Sequence, residues 1–295
     1  MYNGNPFKKN TLTIYESHPL DAVIPSKVEA IEIWVDYSAG TRPRPADIGT
    51  VLAKVPAAEV KLFGIDSSSE LREVPDLRRF SNLEYLRLAG AKLASPGDLS
   101  FLRHVHTLFI TGTKDSSLAG MRLGPLKNLR LIRGSTEIMD VTVGKAWLQS
   151  CQKLREFGAI ELRILELEGC HHVDLATLAR VRGLKDLQLL GLRRLDDFSF
   201  LRGCRELVSL QVAGSLGVPR APLRFAMADF RGLGECPSLR NVGLQLSNPR
   251  IRELAAEFPH LLISNGGVCF HGRNELPGDA WRDAVVAERS AAQAL

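Results

Sequence analysis

The chain has 295 residues, of which 45% are hydrophobic and 24% are charged, and its net charge is +5. These values are typical of a folded protein and exclude an intrinsically disordered chain. No apolar run approaches the ~18 residues that a membrane helix needs, so we expect no membrane partner. The basic excess is spread along the chain, whereas a nucleic-acid binder usually concentrates its charge in a stripe.

The first residues and the cysteines predict the compartment. Residues 1–10 are polar and contain no apolar segment, so they do not read as a secretory signal. Five cysteines, an odd number in a long chain without such a signal, favour reduced thiols. We therefore expect a cytoplasmic protein. Residues 11–15 alternate like a strand, and residues 1–27 are predicted to form an N-terminal cap.

A pattern of apolar residues, LxxLxL, recurs along the chain and is clearest at Leu83, Leu86 and Leu88. Clear copies lie 22 or 23 residues apart, and others are weaker or degenerate. The copies begin at Val28, Val60, Leu83, Val105, Leu129, Leu154, Leu162, Leu184, Leu207, Leu239 and Leu261. The period-2 alternation predicts about ten short strands, each with its apolar positions in the core.

Two further signals keep the same period. In five copies a glycine follows the strand, where a positive φ or a tight turn lets the chain leave the sheet: Gly90, Gly112, Gly169, Gly191 and Gly214. Three residues before the first apolar position stands an apolar or thiol side chain that we expect to point into the core: Phe80, Leu102, Cys151, Cys204, Cys236 and Phe258.

The return segments are predicted to be mixed. Residues 174–180 and 249–258 have apolar residues at helical spacing, and residues 96–102 favour a 3₁₀ turn. Insertions are expected near 37–47 and 216–229, where two repeats are 32 residues long. Residues 129–162 are irregular, since Leu154 and Leu162 begin copies only 8 residues apart. One of the two is predicted to be a partial turn or a convex strand.

This pattern resembles the leucine-rich repeat family, and its period resembles the short 22-residue subclass of phosphatase-regulator-like and bacterial internalin-like repeats. The resemblance implies an α/β repeat solenoid: an arc with a parallel concave β-sheet and a mixed 3₁₀ and helical convex side. The repeats are predicted to span residues 28–264. Residues 265–295 are predicted to form a C-terminal cap with a helix, whose Trp281, Val285 and Val286 pack onto the open edge of the core.

The residues between the leucines are expected on the concave face. Aromatic and arginine side chains dominate binding energy in protein interfaces, and Tyr85 and Phe109 are expected to be neighbours across one strand step. A basic zone is expected at Arg87, Arg130 and Arg133, and an acidic zone further along, at Glu166, Glu168 and Asp186. The predicted partner-binding residues are Trp34, Tyr85, Arg87, Phe109, Arg133, Glu166, Glu168, Asp186, Gln188 and Gln211.

The predicted function is non-enzymatic binding of a protein partner by a chain that is monomeric when free, as an inhibitor, immunity protein, adaptor or regulator. No cofactor or metal is expected: adjacent His171 and His172 beside Cys170 rarely converge on one ion. A nucleic-acid-binding repeat protein is the alternative, weakly favoured by a pI near 9.0. A cryptic enzyme is the second alternative, for which Cys269 and His271 are the candidate pair.

Overall fold

The computed structural model describes residues 8–15, 22–34, 45–66, 75–89, 104–111, 126–132, 142–151, 154–192, 195–214, 226–277 and 279–294. The chain divides into two compact units, residues 1–136 and 137–295, which we describe separately as unit 1 and unit 2.

Unit 1 is built on a ladder of six parallel strands that pair in chain order. The strands are β1 (Thr11–Tyr15), β2 (Ala30–Trp34), β3 (Leu62–Ile65), β4 (Tyr85–Leu88), β5 (Thr107–Thr111) and β6 (Leu126–Ile132). Among the described residues of this unit, one α-helix, α1 (Pro45–Lys54), and two 3₁₀ helices, Lys8–Asn10 and Ala57–Glu59, accompany the strands. Residues 11–15 therefore form a strand, as predicted, and this strand runs parallel to the repeats.

Side-chain alternation separates two faces of each sheet. In unit 1 the register aligns Phe63, Leu86 and Leu108 side by side, and all three are buried. The residues between them point to the opposite side, which we call the exterior face of the sheet. Apolar burial on one face of every strand is the main force that holds the ladder in register, because a shift by one residue would expose the whole row.

Unit 2 contains six parallel strands followed by an antiparallel hairpin. The parallel strands are β7 (Thr142–Gln149), β8 (Glu161–Glu168), β9 (Asp186–Leu190), β10 (Ser209–Ala213), β11 (Asn241–Leu244) and β12 (Leu262–Ser264). The hairpin is β13 (Cys269–His271) and β14 (Asn274–Leu276). The helices are α2 (Arg231–Gly234), α3 (Asn248–Glu257) and α4 (Ala280–Ala294).

The return segments of unit 2 include both helix types. Three 3₁₀ helices, Leu175–Arg180, Ser199–Gly203 and Met227–Phe230, stand beside the α-helices. Asp174 begins the first of them by accepting a hydrogen bond from the backbone of Ala176 at 3.0 Å. The predicted helix at residues 249–258 matches α3 to within one residue at each end, whereas the predicted helical segment at 174–180 is a 3₁₀ helix. Each unit thus has the arrangement expected of leucine-rich repeats, with one strand per repeat and equivalent residues in register.

The structure corrects the repeat boundaries in the irregular region. Leu129 pairs with Leu108, so it is the second apolar position of its repeat, and Leu126 is the first. Leu154 begins no strand but lies buried in the segment that leads to β8. The missing strand is β7, where Val143 aligns with Leu162. The LxxLxL pattern did not reveal β7 because its second core position is an alanine.

The core-wall signal holds where the structure describes it, and the glycine signal is confirmed at Gly169 and Gly191, whereas for Gly214 it stays a prediction. Gly169 and Gly191 have φ angles of 62° and 63°, which a residue with a β-carbon rarely adopts. Phe80, Cys151, Cys204 and Cys236 are buried, and Phe258 is half-buried. Gly90, Gly112, Leu102, the predicted 3₁₀ turn at 96–102 and residues 37–44 and 216–225 of the insertions lie outside the described residues.

Candidate functional site

Three cationic and aromatic side chains stand in a row on the exterior face of unit 1. Arg87 on β4, Phe109 on β5 and Arg130 on β6 are directly opposite one another in the strand register. The guanidinium carbons of Arg87 and Arg130 lie 5.7 and 5.0 Å from the centre of the Phe109 ring. Each contact is a cation–π interaction, worth ~0.5–1 kcal/mol at exposed sites and more when water is excluded. We call this row the Arg–Phe–Arg stack.

An acidic side chain orients one arginine of the stack. Nη2 of Arg87 lies 3.4 Å from Oδ2 of Asp66, which follows β3. The side chains of Asp66 and Arg87 are 13% and 25% exposed, so the pair is screened less than a surface pair. The guanidinium of Arg87 is therefore held over Phe109 by two independent contacts.

Tyr85 lies beside the stack without facing Phe109 directly. Its position in the register is opposite Thr107, and its ring meets the imidazole of His106 edge-on at 4.8 Å between centroids. The residue opposite Phe109 is Arg87. The two aromatic residues are on adjacent strands as predicted, but the direct neighbours of Phe109 are arginines. Arg130 was predicted to share a basic zone with Arg87 and Arg133, but it was not among the predicted partner-binding residues.

Trp34 ends β2 on the same face. It is 38% exposed and stands opposite Tyr15 of β1, which is 43% exposed. Between Trp34 and the stack, the register places Gly64 next to Arg87. A β-carbon on Gly64 would have no neighbour closer than 3.7 Å. Gly64 is itself buried, and such a β-carbon would make ordinary van der Waals contacts. Arg133 lies outside the described residues.

The acidic residues predicted in unit 2 are largely engaged within the chain. Asp186 is 2% exposed, and Arg289 of α4 binds it at two points. Nε of Arg289 donates to Oδ2 at 2.7 Å, and Nη2 donates to Oδ1 at 3.3 Å. This two-point geometry is the strong form of a carboxylate–guanidinium pair.

Glu166 lies next to this ion pair and is half-buried. Burial raises the pKa of its carboxyl group, because removal from water disfavours the charged form. The positive charges of Lys145 and Arg289 lower it in part, and Glu168 raises it. The predicted acidic zone therefore exists on β8 and β9, but basic groups of unit 2 itself partly neutralise it.

The other predicted residues of unit 2 differ in exposure. Gln188 is buried beside Glu166, whereas Gln211 and Glu168 are half-buried. Two residues of β7 belong to the same face and were missed with their strand. Lys145 is opposite Ile164, and Trp147 is opposite Glu166.

Helix α4 lies on the exterior face of unit 2, against β8, β11 and β12. Trp281 contacts Gly243, where a β-carbon would come within 2.7 Å of its Cζ2 atom. Val285 is buried one turn later, and Arg289 binds Asp186 two turns later. The helix was predicted to cover the edge of the core, and its Val286 to pack there; instead it covers the sheet face, and Val286 is 54% exposed.

All five thiols of this chain are buried. Burial raises the pKa of Cys204, Cys236 and Cys269, and a hydrogen bond with Cys151 together with burial raises the pKa of Cys170. All five cysteines are free. Burial and the neighbouring Cys236 raise the pKa of Cys204 to about 12. Burial also raises the pKa of Cys269, although the backbone of Trp281 partly offsets this. Because a nucleophilic cysteine needs its thiolate form, the environment of Cys269 does not activate it beside His271, which is exposed.

The region around His171 and His172 is an open groove of about 430 Å³ at the turn after β8, which also contains Asp174 and Asp197. The carboxylates of both aspartates accept backbone hydrogen bonds that begin 3₁₀ helices. Among the described residues, no group of three or more His, Cys, Asp or Glu side chains is placed to hold a metal ion. Within the same residues, no helix is long and apolar enough to cross a membrane.

Comparisons with known proteins found a likeness among solved structures, but no match to a family model or a curated protein. Among solved structures, an internalin from Listeria monocytogenes is similar, with 16% sequence identity and a TM-score of 0.38. The match covers 80% of this chain and 65% of the internalin chain, so this chain spans less than two thirds of that protein's length.

Proposed function

We propose that this protein binds a protein partner through the exterior face of its repeat sheet and that it has no enzymatic activity. The observation that supports the proposal best is the Arg–Phe–Arg stack. Arginine and large aromatic side chains are the types that most often carry binding energy in protein interfaces. Here Arg87, Phe109 and Arg130 are fixed on three neighbouring strands, so little side-chain entropy is lost when a partner binds.

The stack also indicates the chemistry of the partner. A guanidinium over each side of Phe109 offers hydrogen-bond donors for carboxylates, while the ring offers an apolar contact between them. We therefore propose a partner segment that carries carboxylates around an apolar side chain. Trp34, Tyr85 and Arg133 extend this proposed surface.

The biological role within this class is an inhibitor, immunity protein, adaptor or regulator. We further propose that the repeats belong to the short 22-residue subclass and that the protein acts as a monomer in the cytoplasm. The burial of five free thiols supports a reducing compartment, since none is used in a disulfide.

Affinity capture with the full chain, followed by titration of the purified partner, tests the proposal. We expect Phe109→Ala and Arg87→Ala each to weaken binding at least 10-fold, mainly through faster dissociation. Arg78→Ala is the matched control, because Arg78 is exposed and lies outside the strands. Unchanged dissociation constants for both stack variants, in folded protein, would show that this surface is not the binding site.

Nucleic acid is the second candidate, because an aromatic ring between arginines can also stack against bases. This function predicts that an oligonucleotide binds and that its affinity falls steeply as salt is raised. Retention on heparin together with a steep salt dependence for a labelled single-stranded oligonucleotide would favour it over a protein partner. Failure of the oligonucleotide to bind at low salt excludes it.

A further inference from the structure

The contact between α4 and the sheet of unit 2 has an unusual composition for a structural cap. The sheet residues buried on this face include the polar Asp186, Gln188, Ser209 and Asn241, beside the apolar Ile164 and Leu190. A helix that serves only to shield a core would meet aliphatic side chains, since these give the largest gain on burial. Here the helix covers a partly polar surface whose charge it must match.

Three side chains of α4 make the contact, at a spacing of four residues. Trp281 lies over Gly243, Val285 is buried, and Arg289 forms the two-point ion pair with Asp186. The spacing places them on one face of the helix. Recognition of an amphipathic helix through anchors one turn apart is a common mode of binding between proteins.

The contact is also incompletely satisfied. Nε1 of Trp281 is buried without a hydrogen-bond partner in the described structure. An unmet buried N–H costs free energy, and a buried ion pair adds little net stability because both charges lose water. The helix is joined to β14 by residues 277–279 alone, so it can leave the sheet without disturbing a strand.

From these observations we propose that the exterior face of β8–β11 is a receptor for one amphipathic helix. Its built-in occupant is α4, and a partner displaces α4 by presenting a helix with an aromatic, an aliphatic and an arginine residue at successive turns. This inference deepens the proposed function, since it names the kind of partner that unit 2 accepts. It rests on binding by the exterior face in general and not on the Arg–Phe–Arg stack.

A partner helix has to compete with α4 for the exterior face, because α4 is tethered beside it. A short connection gives the tethered helix an effective concentration in the millimolar range. The apparent affinity of a free helix is reduced by the fraction of molecules in which the face is open. Loosening α4 should therefore strengthen binding of a competing helix without any change in the face itself.

A peptide with the sequence of residues 279–295 is the probe, labelled for fluorescence anisotropy and titrated into the full chain. We expect the double variant Trp281→Ala/Arg289→Ala to bind one peptide per chain at least 10-fold more tightly than the natural chain. Arg282→Ala, on the exposed side of the same helix, is the matched control and should behave like the natural chain. A peptide with Arg289→Glu should bind at least 10-fold more weakly.

Changes on the sheet side locate the peptide. Adding Gly243→Ala or Asp186→Asn to the double variant should abolish capture, because the first blocks the indole and the second removes the charge that faces the arginine. No capture by a folded double variant, or equal capture by the natural chain, overturns the proposal. Cooperative unfolding of the double variant, or hydrogen exchange in α4 only through global unfolding, would show a structural cap and also overturn it.

This test is independent of the one for the Arg–Phe–Arg stack. If the double variant captures no peptide while Phe109→Ala still weakens binding of the protein partner, only the proposal of a helix receptor is rejected. If the double variant captures the peptide while Phe109→Ala leaves partner binding unchanged, only the proposed binding surface of unit 1 is rejected.

Discussion

Ser150 adopts the left-handed backbone conformation at the turn position that Gly169 occupies one repeat later. Their φ angles are 53° and 62°, and the amide of Ser150 donates to the carbonyl of Glu168 at 2.7 Å. The amide of Gly169 donates in the same way to Leu190 at 2.8 Å. The two turns are therefore equivalent, and the serine is the member that bears conformational strain.

We predict that Ser150→Gly stabilises the protein. A residue with a β-carbon costs roughly 1–2 kcal/mol in this conformation. Glycine removes this cost, but its greater flexibility in the unfolded chain offsets part of the gain in stability. The net gain should be on the order of 0.5–1 kcal/mol in denaturant unfolding. Gly169→Ala should destabilise the protein by about 1 kcal/mol or more. A loss of stability in Ser150→Gly would show that the serine side chain outweighs its backbone strain.

Close packing between return segments predicts a strong effect at Gly203. A β-carbon there would lie 2.3 Å from the β-carbon of Ala179, which belongs to the neighbouring 3₁₀ helix. Overpacking of this kind costs about 1–3 kcal/mol, so Gly203→Ala should lower the midpoint of thermal unfolding by several degrees. Gly64→Ala is the control, because its β-carbon meets only ordinary contacts at 3.7 Å and beyond. Similar midpoints for both variants would contradict the prediction.

The buried hydroxyl group of Thr177 predicts a second effect on the free energy of unfolding. Oγ1 of Thr177 accepts a hydrogen bond from the amide of Phe157 at 2.9 Å and donates to the carbonyl of Asp174 at 2.6 Å. Thr177→Val keeps the shape of the side chain but leaves the amide unpaired, which should cost about 1–3 kcal/mol of unfolding free energy. Thr177→Ser keeps the hydroxyl and should cost less than half as much. Equal losses would mean that packing of the methyl group dominates.

The environment of Glu166 predicts the pH dependence of stability. Burial raises the pKa of its carboxyl group above the ordinary value of 4.5. Folding therefore favours the protonated form, so this contribution is complete below pH 4.5 and is lost as the pH rises through the raised pKa. Glu166→Gln should remove this pH-dependent loss of stability. In chemical denaturation, the stability of the variant relative to the natural chain should therefore grow above pH 4.5. A constant difference between pH 4 and pH 7 would contradict the burial effect.

Local pattern alone determined the repeat strands and their buried positions. Strand alternation is a property of the backbone, so any stretch with this pattern buries the same positions. The core residues that follow from it include Leu86, Leu108, Leu187 and Leu210. The turn conformation of the glycines at 169 and 191 was equally predictable from the sequence, since it is set by local sterics. The strand β7 was missed because its core position is Ala146, which carries no strong apolar signal.

Only the tertiary structure decided which exterior residues meet. Arg87, Phe109 and Arg130 are 22 and 21 residues apart in sequence, and only the register of the three strands brings them side by side. Arg289 and Asp186 are separated by 103 residues, and nothing in either segment specifies the other. The apolar spacing of the sequence predicted a C-terminal helix at residues 278–294, and the structure places it at residues 280–294. Where that helix docks depends on the absent β-carbon of Gly243 and on the charge of Asp186, which come together only when the sheet has formed.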